Sequence, residues 1–209
     1  MNNMRNIKFQ IGEYYHIYNR GTDKREIFMD KSDYLRFIRN MEIFSETESL
    51  SRDLVAEKGE RLKKQVKFIC YCLNPNHYHF LLKQSENKGI EKFMHRLGVG
   101  YSTYFNKKYN RSGVLFQGPY KAIHIKENSY FIWLSAYING NSEIHKIFKA
   151  ENYQWSSYME YLERRNSNIC NKNNILDQFK NINEYKDFVD LVIQERKEGR
   201  AERKKYILE

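Results

Sequence analysis

The hairpin at the centre of the chain constrains the fold most. Val66 to Leu73 and Tyr78 to Leu82 are rich in β-branched and aromatic residues, and Asn74-Pro75-Asn76 between them is turn chemistry. A two-stranded hairpin is not stable alone, so the flanking sequence must cover it. Glu13 to Arg20 alternates as a strand and ends at Gly21. Asp30 or Ser32 then caps a helix with apolar residues at Tyr34, Phe37, Ile38, Met41 and Phe44. Ser45 to Gln65 is polar and reads as a frayed helix and loop. Beyond the hairpin, Gly89 to Tyr109 carries a helical stripe of Ile90, Phe93, Met94, Leu97, Tyr101, Tyr104 and Phe105. Lys121 to Lys126 is a short fourth strand. Asn128 to Asn141 is a third helix, with Tyr130, Trp133, Leu134, Tyr137 and Ile138 in register. The order β-α-β-β-α-β-α predicts an α+β sandwich of the ferredoxin-like or RRM-like kind, with an antiparallel sheet.

Residues 1–145 hold this expected catalytic or binding domain, and residues 146–209 form a C-terminal helical extension. Tyr153 to Leu162 is aromatic and is expected to pack back on the body, and Asn181 to Glu209 is expected to be helical. Aromatic residues make up 15% of the 209, enough for a sizeable core, so wholesale disorder is excluded. No apolar run is long enough to span a bilayer, and Met1-Asn2-Asn3-Met4-Arg5 leads into polar sequence without a secretory signal. Three cysteines cannot close a disulfide framework, and the expectation is a cytoplasmic protein.

Charge narrows the partners. Lys and Arg number 36 against 26 Asp and Glu, a formal net charge of +10. Between Lys83 and Lys126 there are nine basic and two acidic residues, so that segment alone carries +7. Tyr101, Tyr104, Phe105, Tyr109, Phe116 and Tyr120 are interleaved with those cations, although some of them serve the core. Cations for phosphates and rings for bases suit a single-stranded nucleic acid.

The chemistry concentrates at His77-Tyr78-His79. Residues two apart on a strand share a face, so His77 and His79 can offer two imidazoles to one metal ion, with Tyr78 turned to the core. Two ligands leave an open coordination sphere, as a catalytic metal needs. The plain alternative is two strand histidines facing solvent. On the third helix Tyr137 and Asn141 are one turn apart and share a face. Asn141 offers a carbonyl oxygen as a third ligand, and Tyr137 a phenol able to attack a phosphodiester. In register with Tyr130 and Leu134, Tyr137 also fits a core position. Cys70 and Cys72 have no metal-ligand spacing and are expected to be buried. His16 fits a place behind the site or in the core.

The chain resembles the single-tyrosine HUH transposases of small insertion sequences, in particular the REP-associated tyrosine transposase branch. His77-Tyr78-His79 matches the His-hydrophobic-His motif, within Asn74-Pro75-Asn76-His77-Tyr78-His79. Tyr15-His16-Ile17-Tyr18-Asn19-Arg20-Gly21 resembles the first strand of the family and its Asn-Arg-Gly ending. Tyr101 to Asn106 with Gly113 to Gly118, Tyr137-Ile138-Asn139-Gly140-Asn141, and Trp155-Ser156-Ser157-Tyr158 follow in the family's order. The resemblance implies that His77, His79 and Asn141 hold a divalent ion, Mg or Mn. It implies that Tyr137 attacks single-stranded DNA beside a hairpin, leaving a 5′-phosphotyrosine and a free 3′-hydroxyl, in a monomer or a homodimer. Arg20, Lys107, Lys108, Arg111 and Lys121 are the expected backbone contacts, by charge and position. Two positions depart from the pattern: Ser142 stands where proline is common, and Ala136 where arginine is common. Gly140 inside the helix costs ~1 kcal/mol relative to alanine. A non-catalytic RRM-like nucleic-acid binder, or a domesticated inactive relative, is the alternative. A zinc hydrolase lacks a third strong ligand and a nearby catalytic carboxylate.

Overall fold

A computed structural model describes residues 7–46 and 63–199. Four strands, β1 (Tyr14–Arg20), β2 (Val66–Asn74), β3 (His77–Gln84) and β4 (Lys121–Ile125), form one sheet in the order β2-β3-β1-β4. Every neighbouring pair is antiparallel. Between them run α1 (Lys31–Phe44) and α2 (Gly89–Lys108), and after β4 come α3 (Asn128–Asn139) and the single turn α4 (Asn141–Ile144). The ferredoxin-like order expected from the sequence is therefore present. The expected third helix is two elements broken at Gly140. Most of the expected loop, residues 47–62, lies outside the described residues, as do residues 200–209 of the expected last helix.

Side-chain alternation divides the sheet into two apolar layers. Tyr15, Ile17, Tyr71, Leu73, Tyr78, Phe80 and Leu82 face α1 and α2, joined by Phe37, Phe93 and Tyr101. Tyr78 and the cysteines Cys70 and Cys72 are buried, as expected. On the opposite face Cys70, Cys72 and Leu81 meet Leu134, Tyr137 and Ile138 of α3. A bulge between Phe68 and Cys70 shifts the register of β2 against β3. His16, His77 and His79 are on this second face, since the alternate residues of their strands fill the first.

The C-terminal segment closes this second face. Helices α5 (Tyr158–Tyr161), α6 (Asn173–Leu176) and α7 (Ile182–Lys197) follow α4. Trp155 to Ser157 runs along the outer edge of β2, with Leu73 N–H donating to Trp155 O at 2.9 Å and Ser157 N–H to Tyr71 O at 2.9 Å. An otherwise open strand edge is thereby covered. The phenols of Tyr153 and Tyr161 donate to Leu73 O and Ile69 O at 2.7 and 2.8 Å. Asn181 caps α7 by accepting from Glu184 N–H at 3.0 Å. Helix α7 lies on α3 and α4, where Tyr185 accepts from the Asn139 amide at 2.8 Å and Lys197 pairs with Glu143 at 2.9 Å. Among the described residues no helix is long and apolar enough to cross a membrane.

Candidate active site

The hairpin turn places the histidines. Asn74 and His77 are paired across the end of β2 and β3, so their side chains emerge side by side beneath α4. The His77 Nδ1–H donates to Asn76 Oδ1 at 2.6 Å, because a carboxamide oxygen can only accept. His77 Nε2 therefore carries the lone pair, and it accepts from Asn74 Nδ2 at 2.8 Å. The same Asn74 nitrogen donates to Asn141 Oδ1 at 2.5 Å. Asn141 and Asn74 are fully buried. Facing a donor fixes the orientation of Asn141: its oxygen is the atom presented beside His77. The Asn141 Nδ2 is buried without a hydrogen-bond partner.

His79 stands beside them, its ring 5.2 Å from that of His77 and nearly perpendicular. Behind it, His16 Nε2 lies 3.0 Å from His79 Nδ1. If His79 presents Nε2 to an ion, its Nδ1–H donates to His16, which fixes both tautomers. His145, four residues after Asn141, puts its ring 5.0 Å from His77. Burial pushes the pKa of His77 down to about 4, with help from His145 and Arg20 and against the Asn141 oxygen, which would accept a hydrogen bond from the protonated ring. Burial likewise lowers His16 to about 3 and holds His79 well below the ordinary imidazole range. All three are thus neutral at pH 7, the form that ligates metals.

Tyr137 enters from α3. Its ring is edge-on to His79 at 5.8 Å and stacks on Trp133 at 5.4 Å and 8°. The Arg196 guanidinium of α7 lies 5.4 Å from the ring centre. Tyr137 is fully buried, yet it lines the same cleft of about 620 Å³ as His16, His77, His79 and His145. Gly140 separates Tyr137 from Asn141 because α7 leaves no room there: a Cβ on Gly140 would fall 2.6 Å from Ile193 Cγ1.

Of the five expected DNA contacts, Arg20 and Lys121 line this cleft, together with Lys24. Lys107, Lys108 and Arg111 do not; they are at and beyond the end of α2. The ammonium of Lys108 is paired with carboxylates of α1 at the surface, 2.7 Å from both Asp30 Oδ2 and Asp33 Oδ1. Those two aspartates form the capping box of α1, and buried Asp33 also accepts from Tyr109 at 2.7 Å. Arg111 donates to Asn106 Oδ1 at 3.1 Å. Asn74, His145, Trp133 and Arg196 at the site were not singled out from sequence. For Asn74 the available signal was its pairing position opposite His77 in the hairpin.

Among the described residues no group of three or more His, Cys, Asp and Glu side chains is arranged to hold a metal. The candidate donors are instead two neutral imidazoles and a carboxamide oxygen. His77 Nε2 and Asn141 Oδ1 both converge on one point, the Asn74 amide nitrogen, and this set fits an exchangeable divalent ion.

The sequence model of the family described as "Transposase IS200 like" matches residues 13–141, which contain β1 to Asn141. A solved structure of a REP-associated tyrosine transposase bound to a REP hairpin superposes with a TM-score of 0.56. It is 11% identical and covers 78% of this chain and 87% of its own. A proposed transposase of Deinococcus radiodurans R1 is 13% identical over 71% of this chain and 99% of its own, with a TM-score of 0.37. Among curated proteins none matches. With the family model spanning more than half of its length, the chain belongs to the IS200-like transposases.

Proposed function

We propose that this transposase is a metal-dependent single-tyrosine endonuclease and strand transferase acting on single-stranded DNA beside a hairpin. The observation that carries the reading is the gathering of His77, His79 and the Tyr137 ring around one cleft, with the buried Asn141 Oδ1 bonded to the same Asn74 nitrogen as His77. His77 Nε2, His79 and Asn141 Oδ1 would hold Mg or Mn, which when bound would polarise the scissile phosphate. Asn76 and His16 keep the two imidazoles in the tautomers that such binding requires. Arg20 and Lys121 attract and orient the DNA backbone at the cleft mouth. Tyr137 Oη attacks phosphorus and the P–O3′ bond breaks. The phenol gives up its proton and the departing 3′ oxygen leaves as a hydroxyl, so protons balance. The reverse attack by a 3′-hydroxyl rejoins strands. Trp133 and Arg196, packed against the Tyr137 ring, hold it in place at the cleft.

The hairpin-bound relative supports a hairpin substrate. The full burial of Tyr137 favours a second reading, a relative that binds DNA without cutting it. Incubation with a labelled pool of hairpin-bearing single strands separates the two. Cleavage that needs Mg or Mn and is lost in Tyr137→Phe, with binding retained, supports the endonuclease. Cleavage retained in Tyr137→Phe removes the assignment.

A further inference from the structure

The Asn74 side chain is not explained by the hairpin turn it flanks. It is fully buried, and its amide nitrogen donates one hydrogen to His77 Nε2 at 2.8 Å and the other to Asn141 Oδ1 at 2.5 Å. Both acceptors are atoms assigned above to the ion. Among the described residues its own oxygen accepts only the weak Cys72 Sγ–H bond at 3.5 Å. A two-pronged donor therefore occupies the place where two ligand lone pairs converge.

We infer that Asn74 is a placeholder for the metal ion. It holds both ligand atoms in position in the metal-free protein and competes with the ion for His77. The inference rests on the proposed metal site, and goes beyond it by adding a residue that no ligand set requires.

The lone-pair count gives the consequence. An imidazole nitrogen has one lone pair, so His77 Nε2 cannot bind an ion and accept from Asn74 together. A carboxamide oxygen has two, so Asn141 Oδ1 can ligate an ion and keep its bond from Asn74. Loading the site then exchanges one bond, that between Asn74 and His77, and leaves the other to hold Asn141 in orientation. Without Asn74, the buried Asn141 Oδ1 and the half-buried His77 Nε2 would both lose their donor in the metal-free state, a cost that falls mainly on the buried oxygen. The same bond must be broken before the ion binds, which weakens affinity and keeps the ion exchangeable.

The opposite roles give opposite signs. If Asn74 supported the ligands only in the loaded state, or turned its oxygen to ligate the ion itself, removing it would weaken binding. As a placeholder, its removal costs the metal-free protein two hydrogen bonds and the loaded protein one, and so tightens binding by the difference. One neutral hydrogen bond corresponds to about a fivefold change in affinity.

The test is calorimetric titration of the full chain with Mn²⁺, for the parent, Asn74→Ala and His77→Ala, with thermal melts in EDTA and in saturating Mn²⁺. The expected result is about fivefold tighter Mn²⁺ binding by Asn74→Ala. Its melting temperature falls below that of the parent in EDTA, and by a smaller margin in saturating Mn²⁺. Weaker or unchanged binding by Asn74→Ala overturns the inference while leaving the metal site standing. No Mn²⁺ binding by the parent, or parent-like binding by His77→Ala, overturns the metal site and the inference with it. A readout independent of any variant is the pair of Asn74 side-chain amide protons in the parent chain, followed by NMR on saturation with Mg²⁺. One proton should lose its hydrogen-bonded shift and the other keep it, and two unmoved protons contradict the exchange.

Discussion

Replacing Gly140 with alanine isolates the contribution of the C-terminal helix to the site. Gly140 joins α3 to α4, one residue before Asn141 and three after Tyr137. Helix propensity alone favours the change by up to ~1 kcal/mol, and less here because φ −84° and ψ −4° place Gly140 at a helix end. Packing opposes it. The new methyl would meet Ile193 Cγ1 at 2.6 Å, Ile193 Cδ1 at 3.1 Å and Ala136 O at 3.2 Å. The Cγ1 atom is the branch of a buried side chain and cannot simply swing aside, so overpacking of about 1–3 kcal/mol applies. The net expectation is a loss of about 1–2 kcal/mol. Ile193→Ala alone should cost about 2–4 kcal/mol by leaving a cavity. In the double variant the new methyl occupies the space vacated by Ile193, so the loss should fall short of the sum by about 1–2 kcal/mol. Urea denaturation of the four proteins measures each quantity. A neutral or stabilising Gly140→Ala, or a double variant additive within about 0.5 kcal/mol, would refute the claim that α7 packing requires glycine here.

Four other substitutions probe separate parts of the account. Lys108→Met should cost roughly 1–3 kcal/mol in urea melts, by leaving buried Asp33 with only its hydroxyl and N–H donors, and should leave DNA affinity intact. Arg20→Ala, at the cleft, should instead weaken hairpin-DNA binding without moving the melt, and the reverse pattern would mean that the two cations have been assigned wrongly. His16→Phe removes the acceptor behind His79 and should weaken Mn²⁺ binding at least about tenfold by calorimetry, whereas unchanged affinity would make His16 a packing residue. Burial disfavours the Glu143 carboxylate, but the Ala150 N–H and the Lys197 and Lys149 ammoniums outweigh it and hold its pKa at about 2. A carboxyl lowered on folding stabilises the protein above its ordinary value near 4.5, and that contribution is lost as pH falls from about 4.5 through about 2. Glu143→Gln should therefore lose less stability than the parent across that window, and parallel curves would exclude the contribution.

The sheet and its helices were legible because alternation and helical spacing report which face is buried. Tyr78 against His77 and His79 is the clearest case, with one residue turned to each layer in strict succession. The break at Gly140 was not legible, because its cause is Ile193, more than fifty residues later. For the same reason Arg196, in a helix that reads as an ordinary charged face, gave no sign of its place over Tyr137. Lys108 shows the converse: a basic segment suggested a DNA contact, while Asp30 and Asp33 on α1 claim the charge. Composition gives the number of cations, and only tertiary pairing shows which of them are left for a ligand. Asn74 was legible as a turn residue and not as a donor, since that role depends on Asn141 arriving from α4.

The most direct measurement of the central claim is peptide mapping of a protein–DNA adduct. The full chain would be incubated with hairpin-bearing single strands and Mn²⁺, then digested with nuclease and protease and analysed by mass spectrometry. The account requires a nucleotide mass on the peptide containing Tyr137, absent in EDTA and absent in His77→Ala. A nucleotide on a different tyrosine, such as Tyr101 or Tyr104, or an adduct on Tyr137 that forms equally well in EDTA, would contradict it.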